Sequence, residues 1–360
     1  MSDIIETIKL KCKTLTPVHI GSKEELDPFD YVIDNDKKLY VIDFHNLTKV
    51  IDDSEIKKLL DYASKRELGN LRVNIRNLFL KYKNNLKPIR TIEISESFWQ
   101  KYNDEIQKSN INNNLSIQMN VTSNNKPIIP GSSIKGAIRT YVLEGRFMTY
   151  NEKEELKKEK YDLIESKLLK AITNEKKDIS KDPFKILKIS DVILPENSTI
   201  IYEVLSKNAT GRGKGIPIYL EVIKPGIEFD IEMGISKYYL NDTNYIGYKD
   251  IIESGEKIKN LFKFITNKII NKKNNELQRL KSYKCFDDIE KKKLEAIYSN
   301  IRNNQNSLLR IGFGSGYDFV TVEGYREYKE PKKGKPGEGW GYSKNLTSDL
   351  QPLGFISINF

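Results

Sequence analysis

The sequence predicts an α+β protein. Segments with the alternation of strands occur near the N-terminus, in the middle and at the C-terminus, and two long segments with helical spacing separate them. Strands and helices grouped in this way favour α+β over a regularly alternating α/β architecture. The chain has 360 residues, of which 38% are hydrophobic and 10% aromatic. A chain of this length and composition can bury a sizeable core.

The N-terminal part begins with a strand and a hairpin. Apolar and basic residues alternate over residues 8–16, which is the pattern of a half-buried strand. The strand stops at Pro17, and a turn is predicted after it. Two short apolar runs then flank a polar turn, which predicts a β-hairpin over residues 30–43. Apolar residues recur every three or four positions from residue 54 to about 87, which predicts helical structure.

The rest of the chain is assigned by the same criteria. Asn-rich residues 103–127 predict a surface loop, and the dense mixture of Lys and Glu over residues 151–178 predicts a solvated helix. Strands are predicted over residues 186–193, 199–205, 216–222 and 227–233. A second helical block follows at 256–303, then a loop at 329–344 and a final strand at 355–360.

Charge and composition exclude several classes of protein. Sixty Lys and Arg residues against 50 Asp and Glu residues give a net charge of +10, which favours a polyanionic partner such as nucleic acid. The sequence contains no apolar run of about 18 residues and no signal-peptide pattern at its start. Cys12 and Cys285 are isolated, so neither a disulfide framework nor a zinc site is predicted. We therefore expect a cytoplasmic protein without a membrane partner, metal or cofactor.

The sharpest candidate site lies in residues 128–140. A Pro-Gly turn ends at Gly131, and Ser132 or Ser133 is predicted to cap the helix that follows. Ile134, Ile138 and Val142 are four residues apart, which predicts one apolar face of that helix. Lys135 and Arg139 are also four residues apart and therefore share a neighbouring, polar face. Free amides at the helix start, two hydroxyls and two cations predict an anion site. The alternative is an ordinary capped helix with a solvated basic face.

A second candidate is the glycine loop, residues 312–316. Arg310 precedes three alternating glycines, and glycine permits close approach of a phosphate backbone. A dinucleotide site would need a helix after the glycines, whereas residues 318–322 look like a strand. The alternative is a tight turn without a ligand. The glycines are Gly312, Gly314 and Gly316.

A third candidate is a basic loop over residues 210–217. Glycines alternate there with Arg212 and Lys214. Cations on a flexible backbone can follow a phosphate chain. A solvated loop without a ligand is the alternative.

The sequence contains no convincing catalytic constellation. His19 could act as a general base, but no partner residue is evident, and a buried structural histidine is the alternative. Carboxylates near the hairpin, among them Asp27 and Asp30, could bind Mg²⁺, although scattered carboxylates there are typical of a surface.

Three segments, residues 15–22, 129–139 and 312–316, occur in an order that resembles the repeat-associated mysterious proteins (RAMPs) of CRISPR systems. Together with the hairpin and residues 189–191, they look most like the fifth subunit of the type III-A (Csm) effector complex. The similarity spreads over most of the chain, and the Pro-Gly-Ser-Ser-Ile-Lys-Gly-Ala-Ile-Arg run is its specific part. Residues 217–221 depart from the family, which usually carries a basic residue there.

The resemblance implies a ferredoxin-like (RRM-like) RAMP core with helical insertions. Residues 1–235 would form this core, with a helical insertion at about 54–110 and the Lys/Glu-rich helix at about 151–178. Residues 236–360 would form a helical block followed by the glycine loop and C-terminal strands. The resemblance also implies an RNA-binding subunit that caps the crRNA 3′-end of the complex and is needed for crRNA maturation and assembly, with catalysis in other subunits.

The implied partners are crRNA, other Csm subunits, a host nuclease that trims the crRNA 3′-end and, indirectly, target RNA. One alternative is a metal-independent repeat endoribonuclease with His19 as general base. Another is a backbone subunit that cuts target RNA with Asp27 or Asp30. The residues predicted to contact crRNA are Gly131, Ser132, Ser133, Lys135, Arg139, Arg212, Lys214, Arg310, Gly312, Gly314 and Gly316.

Overall fold

The structure is a computed structural model that describes residues 5–106, 108, 115–151, 153–156, 159, 161–174, 176–209, 217–240, 252–301, 306–323 and 343–360. The strands within these ranges are β1 (Ile5–Thr14), β2 (Gly21–Leu26), β3 (Tyr31–Ile33), β4 (Lys38–Val41), β5 (Arg90–Ile94), β6 (Ile117–Asn120), β7 (Thr122–Ser123), β8 (Lys126–Ile129), β9 (Ile172–Thr173), β10 (Lys176–Lys177), β11 (Leu187–Ile189), β12 (Val192–Ile193), β13 (Thr199–Asn208), β14 (Ile218–Ile223), β15 (Glu228–Ser236), β16 (Ser307–Arg310), β17 (Ser343–Thr347) and β18 (Phe355–Asn359).

The helices of the described ranges are α1 (Phe44–Val50), α2 (Asp53–Ser64), α3 (Leu68–Tyr82), α4 (Glu96–Glu105), α5 (Gly131–Thr149), α6 (Lys153–Leu156), α7 (Tyr161–Leu168), α8 (Lys237–Leu240), α9 (Gly255–Lys281), α10 (Asp288–Asn300) and α11 (Tyr317–Val320). The mixture of strands and helices confirms the α+β class. The ferredoxin-like detail of the core and the division at residue 235 stay predictions.

A five-stranded antiparallel sheet carries the first strand at its centre. Its order is β11-β15-β1-β18-β16. Along β1, Leu10 and Cys12 are buried while Lys9, Lys11 and Lys13 are exposed, which confirms the predicted alternation. The lysines stand opposite acidic residues of β15, so this face of the sheet is charged on both strands. Helices α5 and α9 contribute to the large core that contains this sheet.

A second sheet of eight strands has the order β2-β6-β14-β13-β5-β4-β3, with β17 also paired to β13. Strands β3 and β4 form the predicted hairpin. Adjacent residues of β3 point to opposite faces. Ile33 packs in the cluster that contains Phe98 of α4, whereas Val32 packs in the cluster that contains Phe79 of α3. Helices therefore cover both faces of this part of the sheet.

Three local predictions are wrong. The predicted loop over residues 103–127 includes strands β6 and β7 and the start of β8, although residues 107 and 109–114 lie outside the described residues. The predicted solvated helix over residues 151–178 is divided into α6, α7 and the β9–β10 pair, and Leu156 and Leu168 are buried. Residues 318–322 contain the end of helix α11 instead of a strand, because the chain enters the helix through Gly316 at φ +86°.

Within the described part of the chain, no helix is both long enough and apolar enough to cross a membrane.

Candidate nucleic-acid interface

Helix α5 begins against the connection between β11 and β12. A β-carbon at residue 131 would lie 2.1 Å from the carbonyl oxygen of Ile189, so only glycine fits there. The amide of Gly131 donates to Oδ1 of Asp191 at 2.8 Å. A carboxylate of the chain itself therefore already occupies part of the positive end of the helix.

The predicted serine N-cap is wrong, because Pro130 is the N-cap, two residues before Ser132, and the helix begins at Gly131. The amide of Ser133 donates to the carbonyl of Pro130 at 3.0 Å. Ser132 is exposed and Ser133 is half-buried. The hydroxyl of Ser132 therefore lies at the surface of the first turn, where it can donate to a phosphate oxygen.

The two cations of α5 have partners within the chain. A neighbouring face of the helix is buried through Ile134 and Ile138, which confirms its predicted apolar stripe. Nζ of Lys135 donates to the carbonyl of Leu187, at the edge of the five-stranded sheet, at 2.8 Å. Burial and then the nearby charge of Lys188 lower the pKa of Lys135.

Arg139 is tied more firmly than Lys135. Its Nη1 donates to both carboxylate oxygens of Asp182, at 3.0 and 2.9 Å, and its Nε donates to Glu165. The guanidinium also lies over the ring of Phe184, 5.1 Å from its centroid. Two carboxylates thus offset the charge of Arg139, and its contacts join α5 to α7 and to the segment before β11.

The glycine loop is shaped by protein groups that lie against it. All three glycines have positive φ, at +78°, +74° and +86°, which strains any other residue. Each also makes room for a different neighbour. A β-carbon would lie 2.3 Å from the carbonyl oxygen of His19 at Gly312, 2.6 Å from Cδ1 of Leu353 at Gly314, and 2.7 Å from Nζ of Lys344 at Gly316.

Arg310, which precedes the loop, belongs to the core. Its side chain is 0% exposed, and its Nη1 donates to both carboxylate oxygens of Glu276, at 3.1 and 3.0 Å. Its Nε donates to the carbonyl of Leu353 at 2.8 Å, and its guanidinium lies over the rings of Phe319 and Phe355. In this position Arg310 has no surface to offer a phosphate.

Glu276 is the residue that sequence reasoning missed. It also accepts from the hydroxyl of Tyr298 at 2.5 Å and from Nζ of Lys344 at 2.9 Å. Burial alone would raise the pKa of Glu276, but Arg310 and Lys344 lower it to about 2. The available signal was its position, because Glu276 is seven residues after buried Ile269 and therefore lies on the apolar face of α9.

The side chain of His19 is buried and hydrogen-bonded to the backbone. It is 2% exposed, and its Nδ1 donates to the carbonyl of Glu221 at 2.7 Å. Burial lowers the pKa of His19, outweighing the raising effect of that hydrogen bond. The carboxylate of Glu221 is in turn held by Arg90 and by the amide of Asn120.

Hydrogen bonds connect the three segments that were singled out in the sequence. The amide of Phe313 donates to the carbonyl of His19 at 2.8 Å, and the amide of Val121 donates to the carbonyl of Ile20 at 2.8 Å. The amide of Ile128 then donates to Val121 at 3.1 Å, and β8 continues into α5. We call these linked residues the motif ridge (residues 19–21, 121–122, 128–133 and 312–316).

The remaining candidates are two basic and two acidic residues. Arg212 and Lys214 lie outside the described residues. Asp27 and Asp30 close the turn between β2 and β3, since Oδ2 of Asp30 accepts from the amide of Asp27 and Oδ1 of Asp27 accepts from that of Phe29. Among the residues that the structure describes, no group of three or more His, Cys, Asp or Glu side chains could hold a metal ion.

Comparison with known proteins identifies the family. The model of the RAMP superfamily matches residues 11–319. The CRISPR system Cms protein Csm5 of Methanocaldococcus jannaschii is 30% identical over 339 residues, which cover 88% of this chain and 73% of that protein. The Streptococcus thermophilus protein of the same name is 29% identical over 247 residues, which cover 64% and 65% of the two chains.

Solved structures have the same fold at lower identity. A chain in the cryo-EM structure of the Csm-crRNA-target RNA ternary complex of a type III-A CRISPR-Cas system superposes with a TM-score of 0.67 at 21% identity, over 98% of this chain and 100% of that one. The crystal structure of T. onnurineus Csm5 gives a TM-score of 0.58 at 20% identity, over 96% and 99%. Together with the family match and the archaeal relative, this confirms the resemblance, and the chain belongs to the RAMP superfamily and, within it, to the Csm5 proteins of CRISPR systems.

Proposed function

We propose that this protein is the RNA-binding subunit of a type III-A CRISPR-Cas effector complex that caps the crRNA 3′-end of the complex and is needed for crRNA maturation and assembly. The observation that carries the proposal is the 30% identity to Csm5 over 88% of the chain. Its partners in this proposal are crRNA, other Csm subunits and target RNA, with a host nuclease trimming the crRNA 3′-end.

The motif ridge supports a backbone-binding role. It offers exposed Ser132, the first turn of α5 and the main chain of the glycine loop, and half-buried Lys135 follows on the same helix. Such groups bind phosphates and sugars, which carry no sequence information. A subunit of this kind can accept any spacer. Arg139 and Arg310 act indirectly here, by holding α5 and the glycine loop in place.

We propose that the role is not catalytic. The ring of His19 is buried and its Nδ1 is bound to a backbone carbonyl, so it is poorly placed to take a proton from a ribose hydroxyl. Incubation of the purified protein with labelled repeat RNA in EDTA tests this directly. Specific cleavage that is lost in His19→Ala would contradict the proposal and favour the endoribonuclease.

Co-purification tests the assembly role. Tagged protein is expressed with its neighbouring genes, and the bound RNA and proteins are identified. Ser132→Glu adds a negative charge to the ridge, and Ser64→Glu, at an exposed serine at the end of α2, is the matched control. We expect trimmed repeat-spacer RNA with wild type and Ser64→Glu, and RNA that is lost or untrimmed with Ser132→Glu. Wild type that emerges alone and free of RNA would overturn the proposal.

A further inference from the structure

Phe313 is an exposed aromatic side chain at the tip of the glycine loop. Its surface is 41% exposed. Its chain neighbours are Gly312 and Gly314, which add no side chains beside the ring. An aromatic ring left in water offers a large apolar area to a ligand, since burying it is favourable.

The ring is held by the structure beneath it. It lies perpendicular to the imidazole of His19, with 5.9 Å between centroids and an interplanar angle of 89°. The backbone amide of Phe313 is bound to the carbonyl of the same histidine at 2.8 Å. Edge-to-face packing and a backbone hydrogen bond together fix where the exposed part of the ring points.

The loop that carries Phe313 is fixed from its inner side. Nζ of Lys344 donates to the carbonyls of Gly314 and Ser315 at 3.2 and 3.1 Å, and Oγ of Ser315 donates to the carbonyl of Gly312 at 2.8 Å. Lys344 is itself anchored by Glu276. A ligand that binds to a loop already held in one conformation loses little of its binding free energy to ordering.

The surroundings of the ring point to one class of ligand. Hydrogen bonds link the glycine loop through residues 19–21 to Val121 and Ile128, and β8 then leads into α5, where Ser132 is exposed. A flat apolar ring beside backbone-binding donors is the combination that binds single-stranded nucleic acid, because each base has a face that can stack.

We propose that Phe313 is a stacking platform for one nucleobase of the bound guide RNA. The inference rests on the proposed function and adds a contact to the base where the ridge contacts the backbone. Stacking is tolerant of base identity, so this contact also suits a subunit that must accept any spacer. It gives the last ordered nucleotides a fixed position without a sequence requirement.

The test compares Phe313→Leu, which keeps an apolar side chain but removes the ring, with Phe313→Trp, which keeps a ring. Phe44→Leu is the matched control, because Phe44 is 38% exposed at the start of α1. Binding of the full-length proteins to a single-stranded RNA of mixed sequence is measured. We expect Phe313→Leu to bind about 5- to 150-fold more weakly than wild type, and the other two variants to bind like wild type.

A second measurement separates stacking from any other effect of the substitution. A set of RNAs is made, each with one abasic nucleotide at a successive position. At one position, the abasic nucleotide should weaken RNA binding by the wild type by the same factor as Phe313→Leu does. The same abasic RNA should bind Phe313→Leu no more weakly than the intact RNA does. The melting temperature of each variant shows whether it is folded, and folding is expected to be unchanged at so exposed a position.

The possible failures are distinguishable. Wild type that binds no RNA overturns the proposed function itself. Wild type that binds RNA while a folded Phe313→Leu binds equally well overturns the stacking inference and leaves the proposed function intact. Equal RNA binding together with loss of the other Csm subunits in co-purification would assign Phe313 to a protein interface, which also overturns the inference.

Discussion

Replacement of Glu276 with Gln should destabilise the fold strongly. The substitution keeps the shape of the side chain but removes the negative charge between Arg310 and Lys344. The three side chains are 4%, 0% and 8% exposed, so water cannot compensate the two cations. The amide group of Gln would also place a donor against donors.

The burial of the ion pair sets the magnitude. Removing one partner of a buried ion pair costs about 3–5 kcal/mol, because it leaves an uncompensated buried charge. The pKa of Glu276 is lowered from 4.5 to about 2 by Arg310 and Lys344, which outweigh the effect of burial, so the fold favours the ionised form. Because this pKa is lower in the folded state, the stabilisation is present above pH 4.5 and is lost as the pH falls toward about 2.

The assay is urea unfolding at neutral pH, followed by tryptophan fluorescence. Glu96→Gln is the control, since the carboxylate of Glu96 pairs with Lys37 at the surface, where the two side chains are 58% and 46% exposed. Such a pair contributes at most about 1 kcal/mol. Combining Glu276→Gln with Lys344→Met should restore part of the loss, because the second substitution removes a buried cation.

Equal free energies of unfolding for Glu276→Gln and Glu96→Gln would refute this reasoning. Additive effects in the double variant would also refute it. The double variant would then be less stable than Glu276→Gln by the full free energy that Lys344→Met alone costs, which would mean that the two residues are independent.

Three further predictions concern the loop and the segments beside it. Gly312→Ala should cost more than about 1 kcal/mol of stability in thermal unfolding, since its β-carbon would lie 2.3 Å from the carbonyl of His19. Gly136→Ala, at an open position of α5, should instead gain about 0.5–1 kcal/mol. A similar effect of the two substitutions would contradict the packing argument. Wild type should lose stability as the pH falls from about 7.5 to 5.5, because His19 takes up a proton in the unfolded state more readily than in the fold, where burial lowers its pKa. His19→Gln should make the free energy of unfolding less dependent on pH, and parallel curves of stability against pH for the two proteins would disprove this prediction. Arg310→Lys should destabilise the fold, since lysine cannot reproduce the bidentate pair with Glu276. It should leave the salt dependence of RNA binding unchanged. If the slope of log affinity against log salt concentration became smaller by about 0.7, Arg310 would instead contact the RNA.

Local sequence patterns predicted the structure correctly where the pattern within a single strand, hairpin or helix was enough. The alternation over β1 follows from one buried and one exposed face, and the hairpin β3–β4 follows from two apolar runs around a polar turn. The apolar stripe of α5 was readable for the same reason, since residues four apart share a face. Each of these predictions needed only a few consecutive residues.

Local sequence patterns were not sufficient where residues that are distant in the sequence determine the contacts of a side chain. Arg310 has the sequence neighbourhood of a phosphate-binding residue, yet Glu276, 34 positions earlier, holds it in the core. Similarly, Asp191 and Asp182 bind the start of α5 and Arg139 from the connections around β11. Counting cations in a motif therefore overstates the charge that it presents, because the partners are brought in by tertiary structure.

The Gly-Phe-Gly-Ser-Gly run shows how one motif serves folding and binding together. Its three glycines face a backbone carbonyl, an apolar side chain and an ammonium group of the protein, so their small size is used internally. Buried Ser315 closes the loop on itself through its hydroxyl. Within residues 312–316, the side chain of Phe313 is thus the one that faces solvent. The same segment holds an aromatic ring at the surface and, in the proposed function, contacts the RNA backbone through its main chain. The glycines on either side leave the ring exposed, and the buried ammonium group of Lys344 holds the loop through the carbonyls of Gly314 and Ser315.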